Sequence, residues 1–245
     1  MSPLRYHELV DALCTIQNPT SPEKLDQLIE FLQVSEGDQI VDVGSGKGWL
    51  LRRLARDAAV HVVGLELSAV FAGQSRQALG GVRLRGSVEI IEGPALAYEA
   101  GEGAFDIALC IGATFALDGL QGTLAWMAHA VKPGGRIAVG EPFAKAPFPP
   151  RVSERYAEYD RTLADLVEGF TSHGFFPTGV IVSSEDDWDR YRSLGWRGAL
   201  AWVKGHAGEA EAEEVRARVM EERRRYFEEE RAVLGWAIIT AERLP

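Results

Sequence analysis

The stretch that decides the fold is Val41-Asp42-Val43-Gly44-Ser45-Gly46-Lys47-Gly48-Trp49-Leu50-Leu51. A short apolar run leads into three glycines at alternate positions and then into a helical pattern. Glycine has no Cβ, so a loop of this kind turns sharply and lets another group approach its backbone closely. Strand, glycine loop and helix in that order describe a ligand-binding βα turn. An ordinary tight turn can have the same composition, so the rest of the chain has to decide.

Downstream, strand-like and helical runs alternate: strands over 39–43, 60–66 and 88–92, and helices over 50–58 and 69–79. Parallel strands need crossover helices, and a run such as Val60-His61-Val62-Val63-Gly64-Leu65 suits burial on both faces. Residues 105–110 give a fourth strand, and Leu120, Leu124, Met127 and Val131 form the stripe of the next helix. Lys132-Pro133-Gly134-Gly135 is then a turn into a fifth strand over 136–140. Four prolines between 142 and 150 predict a loop over the sheet edge. Leu163, Leu166, Val167 and Phe170 return at helical spacing, 175–183 reads as strand six, and Ser184 caps another helix. Residues 207–230, dense in Glu and Arg, read as a solvated helix laced with ion pairs, and 232–242 holds the seventh strand.

Upstream of the loop, Tyr6, Leu9, Val10 and Leu13 mark one helix. Ser21 and Pro22 open a second, with Leu25, Leu28, Ile29 and Leu32 as its stripe. The fold expected is α/β: a doubly wound, mainly parallel seven-stranded sheet with N-terminal cap helices and an insertion after strand five.

At 245 residues with a formal net charge of −10, the chain has room for one large domain and little to offer a nucleic-acid backbone or an anionic membrane. Cys14 and Cys110 are too far apart in sequence to suggest a disulfide framework or a CxxC metal site, so no metal is expected. Neither a signal peptide nor an apolar run of spanning length is visible, and a cytoplasmic setting is expected.

Three nucleotide-type ligands compete for the loop. A phosphate-binding P-loop would need a glycine five residues before Gly46, where Val41 stands, and Ser or Thr after Lys47, where Gly48 stands. A dinucleotide fingerprint starting at Gly44 would need Gly or Ala at position 49, and the chain has Trp49, which weakens that reading. What remains is Asp42-x-Gly44-x-Gly46-x-Gly48. Together with Glu66 at the end of strand two and Lys132-Pro133-Gly134-Gly135 ahead of strand five, it resembles the class I S-adenosylmethionine (SAM) dependent methyltransferases over residues 38 to 142.

The resemblance implies SAM as cofactor and a set of contacts. Asp42, Gly44, Ser45, Gly46 and Gly48 would lie around its amino-acid part, and Glu66, followed by Leu67, would accept hydrogen bonds from the ribose hydroxyls. Pro94 and Ala95 would lie near the adenine, and Cys110, Ile111 and Gly112 beside the methionine portion. One departure is plain: the family usually reads Gly-Asp-Ala after strand three, and this chain has Gly93-Pro94-Ala95. Pro94 has no side-chain acceptor for the adenine amino group. The domain plan that follows is a single methyltransferase domain over 1–245, with cap helices in 1–36, the SAM-binding core in 37–142, a substrate-side region in 143–206, and a C-terminal helix and last strand in 207–245.

Methyl transfer mainly requires alignment of a nucleophile behind an electrophilic carbon, with a general base useful when the nucleophile is a hydroxyl or protonated amine. His7, at the flank of the first helix, and Glu141, directly after strand five, are the residues placed to serve as that base. Tyr6, Trp188 and Tyr191 are the aromatic residues placed to line the acceptor, although core packing competes for each. The acidic charge favours a small-molecule acceptor and argues against nucleic acid as a partner. A methyltransferase acting on protein or RNA, and a SAM-binding module without catalysis, remain open at this point. The sequence says nothing about oligomeric state.

Overall fold

The computed structural model describes residues 1–244. Seven strands form one sheet: β1 (Gln39–Val43), β2 (His61–Glu66), β3 (Ser87–Glu92), β4 (Phe105–Ile111), β5 (Val131–Ala144), β6 (Phe175–Val182) and β7 (Leu234–Arg243), in the spatial order β3-β2-β1-β4-β5-β7-β6. The first five are parallel, and β7 runs antiparallel to both β5 and β6. Strand order reverses at β1, from which β2 and β3 extend one way and β4 and β5 the other. The crevice outside the carboxyl ends of β1 and β4 is therefore the place where a sheet of this kind receives a ligand.

Nine helices accompany the sheet among the described residues: α1 (Pro3–Val10), α2 (Pro22–Leu32), α3 (Trp49–Asp57), α4 (Ala69–Leu79), α5 (Gly119–Ala130), α6 (Pro150–Arg155), α7 (Leu163–Thr171), α8 (Glu185–Gly205) and α9 (Ala210–Arg225). Alternation along the strands sends neighbouring side chains to opposite faces and builds two cores. Val41, Ala108, Cys110 and Val139 pack with Leu124 and Met127 of α5 and Phe170 of α7. Ile40, Ile107, Leu109 and Ala138 pack with Leu28 of α2 and Leu51 and Leu54 of α3. A smaller cluster of Tyr6, Leu9, Ala199 and Val215 ties α1 to α8 and α9. No described helix is long and apolar enough to cross a membrane.

Strand five differs from its expected bounds at both ends. Its register with β4 passes from Phe105↔Val131 to Ile107↔Arg136, so residues 132–135 bulge out of the ladder; the turn chemistry is present, but inside the strand. At the other end, Glu141, Pro142, Phe143 and Ala144 continue the strand by pairing with β7, whereas the prolines predict a loop from 142. Pro142 is tolerated there because the Ala144 amide, on the same side of the strand, donates to Arg161 O across a gap that β4, ending at Ile111, has left. Pro150 then opens the short helix α6 at a position where its missing N–H costs nothing. The charged helix ends at Arg225 and passes into a wide π-type turn over Tyr226–Glu230.

Candidate functional site

A cleft of about 320 Å³ opens at the switch point between β1 and β4. Its floor comes from the loops that follow the strands: Gly44 and Gly46 after β1, Glu66 and Leu67 at β2, Gly93, Pro94 and Ala95 after β3, and Ile111, Gly112 and Ala113 after β4. Its roof comes from the chain's N-terminal part, with Leu4, His7, Gln17 and Asn18, joined by Phe71 of α4 and Tyr191 of α8. Phe115 stands at the mouth, exposed.

The glycine loop is shaped as much by these roof residues as by any ligand. Gly46 sits at φ 56°, and a Cβ on it would overlap the Gln17 side-chain oxygen. That oxygen accepts a hydrogen bond from Lys47 N at 3.0 Å. Gly112 sits at φ 80°, and a Cβ there would overlap the Asn18 side-chain oxygen, while Asn18 Nδ2 donates to Ile111 O at 2.8 Å. Lys47 Nζ completes the attachment by donating to the carbonyls of Asp11 at 2.7 Å and Ala12 at 3.0 Å. The segment after α1 is thus pinned across both loops of the switch point.

Glu66 is the buried anion of the site, 7% exposed. Its Oε2 accepts from Gly46 N at 2.8 Å and its Oε1 from Ser68 N at 2.7 Å, so the carboxylate is fixed with further acceptor capacity on both oxygens. Burial pushes its pKa up, against the pull of these backbone donors. Asp42 lies in a narrower recess beside the cleft, shared with Ser45, and its carboxyl has no hydrogen-bond partner among the described residues. Burial first, and then the nearby Glu66 charge, push Asp42 up to about 8.

His7 lines the cleft with its ring edge-on to Phe71, centroids 5.5 Å apart. Its Nδ1 stands 3.6 Å from the buried Asp11 carboxylate, and its Nε2 has no hydrogen-bond partner among the described residues. Tyr191 also faces the cleft, and burial raises its hydroxyl pKa.

Other residues expected at the site lie elsewhere. Glu141 does not face the cleft: it is 3% exposed, accepts from Thr114 Oγ1 and pairs with Arg161, because β5 runs on through it and turns its carboxylate inward. Cys110 is fully buried in the core beneath the sheet's end. Gly48 is packed against Ser75 of α4 and not against the cleft. Trp188 belongs to the core, its ring 5.4 Å from the Arg192 guanidinium. Tyr6 donates to Glu222 at 2.7 Å and faces a different cavity. Sequence patterning does not reveal Asp11, Gln17 and Asn18, because a short irregular segment between two helices carries no periodic signal; Lys47 is visible in the loop but its attachment to that segment is not, and Phe115 is one apolar residue among many.

Comparison with known proteins agrees with this geometry. The family described as "Methyltransferase domain" matches residues 40–135. A SAM-dependent methyltransferase from Geobacter sulfurreducens, solved in complex with S-adenosyl-L-homocysteine (SAH), superposes with a TM-score of 0.89 at 29% identity, covering 97% of each chain. The uncharacterized protein YjhP of Escherichia coli is 29% identical over 91% of this chain and 92% of its own length. The 27-O-demethylrifamycin SV methyltransferase of Amycolatopsis mediterranei is 25% identical over 95% of this chain and 87% of its own. The switch-point cleft, the acidic end of β2 and these likenesses together set this chain beside the SAM-dependent methyltransferases, with a methyltransferase domain matched over residues 40–135.

Proposed function

We propose that this protein transfers the SAM methyl group to a small-molecule acceptor by in-line displacement, working as one unit over residues 1–245. The observation that carries the cofactor part is Glu66, a buried carboxylate at the end of β2 held by backbone donors from the glycine loop, with acceptor capacity left on both oxygens. Two vicinal hydroxyls suit such a carboxylate better than any neutral side chain. The cleft volume of about 320 Å³ lies in the range of small-ligand sites.

The other residues fit the same ligand. Unpartnered Asp42, with Ser45 beside it, suits the cofactor's ammonium group, and Gly44, Gly46, Ile111 and Gly112 line the space for its amino-acid part. Leu67, Pro94 and Ala95 offer the adenine packing and backbone groups in place of the missing carboxylate. Bound here, SAM would supply an electrophilic methyl group, the new bond from the acceptor atom replacing the carbon–sulfur bond and SAH being the leaving product.

The chain's own contribution is orientation, exclusion of water by the roof of α1 and the segment after it, and removal of a proton. His7 is the base we assign: it lines the cleft, and Asp11, 3.6 Å from its Nδ1, is placed to hold the ring and balance the charge it gains. A small acceptor is supported by the roofed cleft and by the rifamycin-directed relative.

The test is SAH production on pooled small metabolites, on protein and on RNA. Turnover is expected only with the small-molecule pool, and His7→Ala should lower it by about 10²–10⁴-fold, far more than it changes SAH affinity. Methylation of protein or RNA alone would replace this acceptor class, and unchanged turnover in His7→Ala would remove the base.

A further inference from the structure

A second cavity, of about 230 Å³, lies on the far side of His7 and Tyr191, the two residues that line both it and the cofactor cleft. Its wall is made largely of ionisable side chains from α1, α8 and α9, and three arginines face it, Arg192, Arg218 and Arg225. Its charges can be accounted for one by one. Glu222 accepts from Tyr6 Oη at 2.7 Å and from Arg218 Nε at 3.1 Å. Glu230 accepts from Tyr156 Oη at 2.8 Å and from Arg192 Nη2 at 3.1 Å. Asp11 stands 3.6 Å from His7 and accepts from Gln17 Nε2 at 3.5 Å.

One guanidinium is left without a direct partner. Among the described residues Arg225 makes no ion pair and no hydrogen bond, and its Nε is buried without a partner. The Nε of Arg192 is likewise buried and unpartnered. A guanidinium whose donors lack a protein partner presents a planar fork that fits a carboxylate or phosphate with two parallel hydrogen bonds. An anion between these arginines would satisfy what the protein leaves open. It would also lie within a few side chains of the only two residues shared with the cofactor cleft.

We propose that this cavity is the acceptor subsite and that the acceptor is a small anion, bearing a carboxylate or phosphate that Arg225 holds, with its methyl-receiving atom directed between His7 and Tyr191. The proposal rests on the methyl-transfer reading above and adds to it the acceptor's chemical class. In this arrangement the anionic end fixes orientation from behind α1, and the reacting end enters the cleft beside the His7 imidazole.

The test uses the full chain, with and without saturating SAH, and follows binding by calorimetry. The probes are inorganic phosphate, benzoate and succinate, the two carboxylates being paired with benzamide and succinamide. At least one anion should bind, and where it is a carboxylate its amide should bind about tenfold more weakly or worse. Arg225→Ala should weaken the anion by a similar factor with SAH affinity unchanged, and Arg225→Lys should fall between. Arg225→Gln, which keeps much of the stem, supplies the same comparison if the alanine variant does not fold. Phosphate binding alone points to a phosphorylated acceptor and carboxylate binding alone to an acid, and either supports the proposal. Absence of anion binding, equal binding of acid and amide, or an affinity indifferent to position 225 overturns it. Failure of the wild-type protein to bind SAH would instead count against the cofactor reading, which the anion titration without SAH keeps separate.

Discussion

Asp42 is the residue at which burial has the clearest measurable consequence. It lies within β1, its carboxyl has no hydrogen-bond partner among the described residues, and it is pushed up to about 8, mainly by burial and then by Glu66. Its folded-state pKa lies above the ordinary carboxylate value of about 4, so across that interval the folded protein holds a proton that the unfolded chain has released. The contribution is therefore favourable at low pH and is lost as pH rises from about 4 to about 8, with a limiting slope of about 1.4 kcal/mol per pH unit. Urea unfolding of the ligand-free protein between pH 5 and 8 should show Asp42→Asn gaining on the wild type as pH increases; parallel curves would mean the carboxyl is not held protonated. Asp42 was legible as a motif residue, but its isolation was not, because that depends on what α2 and the segment after α1 place around it. The same holds for Gly46: its sequence suggested close approach by a ligand, and the structure adds Gln17 as a protein neighbour in the same space. A bulky residue at 46 would strain the loop as well as the site, and Glu66 is the better position to vary.

Among the elements, β5 shows how a local rule gives way to tertiary context. Prolines from 142 onward argue against a strand, yet β5 runs to Ala144, because β7 pairs with it on one side while β4 has ended on the other. This extension buries Glu141 against Thr114 and Arg161, joining the loop after β4 to the segment before α7. The pair is thus a structural tie behind the site. Arg161→Ala should leave an uncompensated buried carboxylate and cost about 3 kcal/mol in denaturant unfolding, and adding Glu141→Gln should restore much of it. Full stability of the single variant would contradict that role. Elements with strong patterns were legible nearly to the residue: Ala69–Leu79 has the bounds that its sequence suggests, and Ser184 caps α8 with a reciprocal Asp187 contact. Weakly patterned stretches were not, α6 and the π-type turn at Tyr226–Glu230 among them.

For the whole molecule, the alternation of strands and helices was sufficient to foresee a doubly wound sheet, because parallel strands buried on both faces leave few alternatives. The floor of the cleft comes from loops that directly follow those strands, and most of it was legible for that reason. The roof draws on α1, the segment after it, α4 and α8, and the second cavity on α1, α8 and α9; α1 lies far from α8 and α9 along the chain and meets them through the cluster of Tyr6, Leu9, Ala199 and Val215. No local pattern announces such a meeting, so the polar cavity beside His7 had no counterpart in the sequence reading. The central claim is that the Glu66 end of β2 and the glycine loop hold a nucleoside-sulfonium cofactor, and titration calorimetry with SAH on the wild type and on Glu66→Ala tests it most directly. The wild type is expected to bind one SAH per chain, and the variant, folded by circular dichroism, about a hundredfold more weakly, as befits the loss of charged hydrogen bonds to two hydroxyls; no binding by the wild type, or equal binding by both, would contradict the claim.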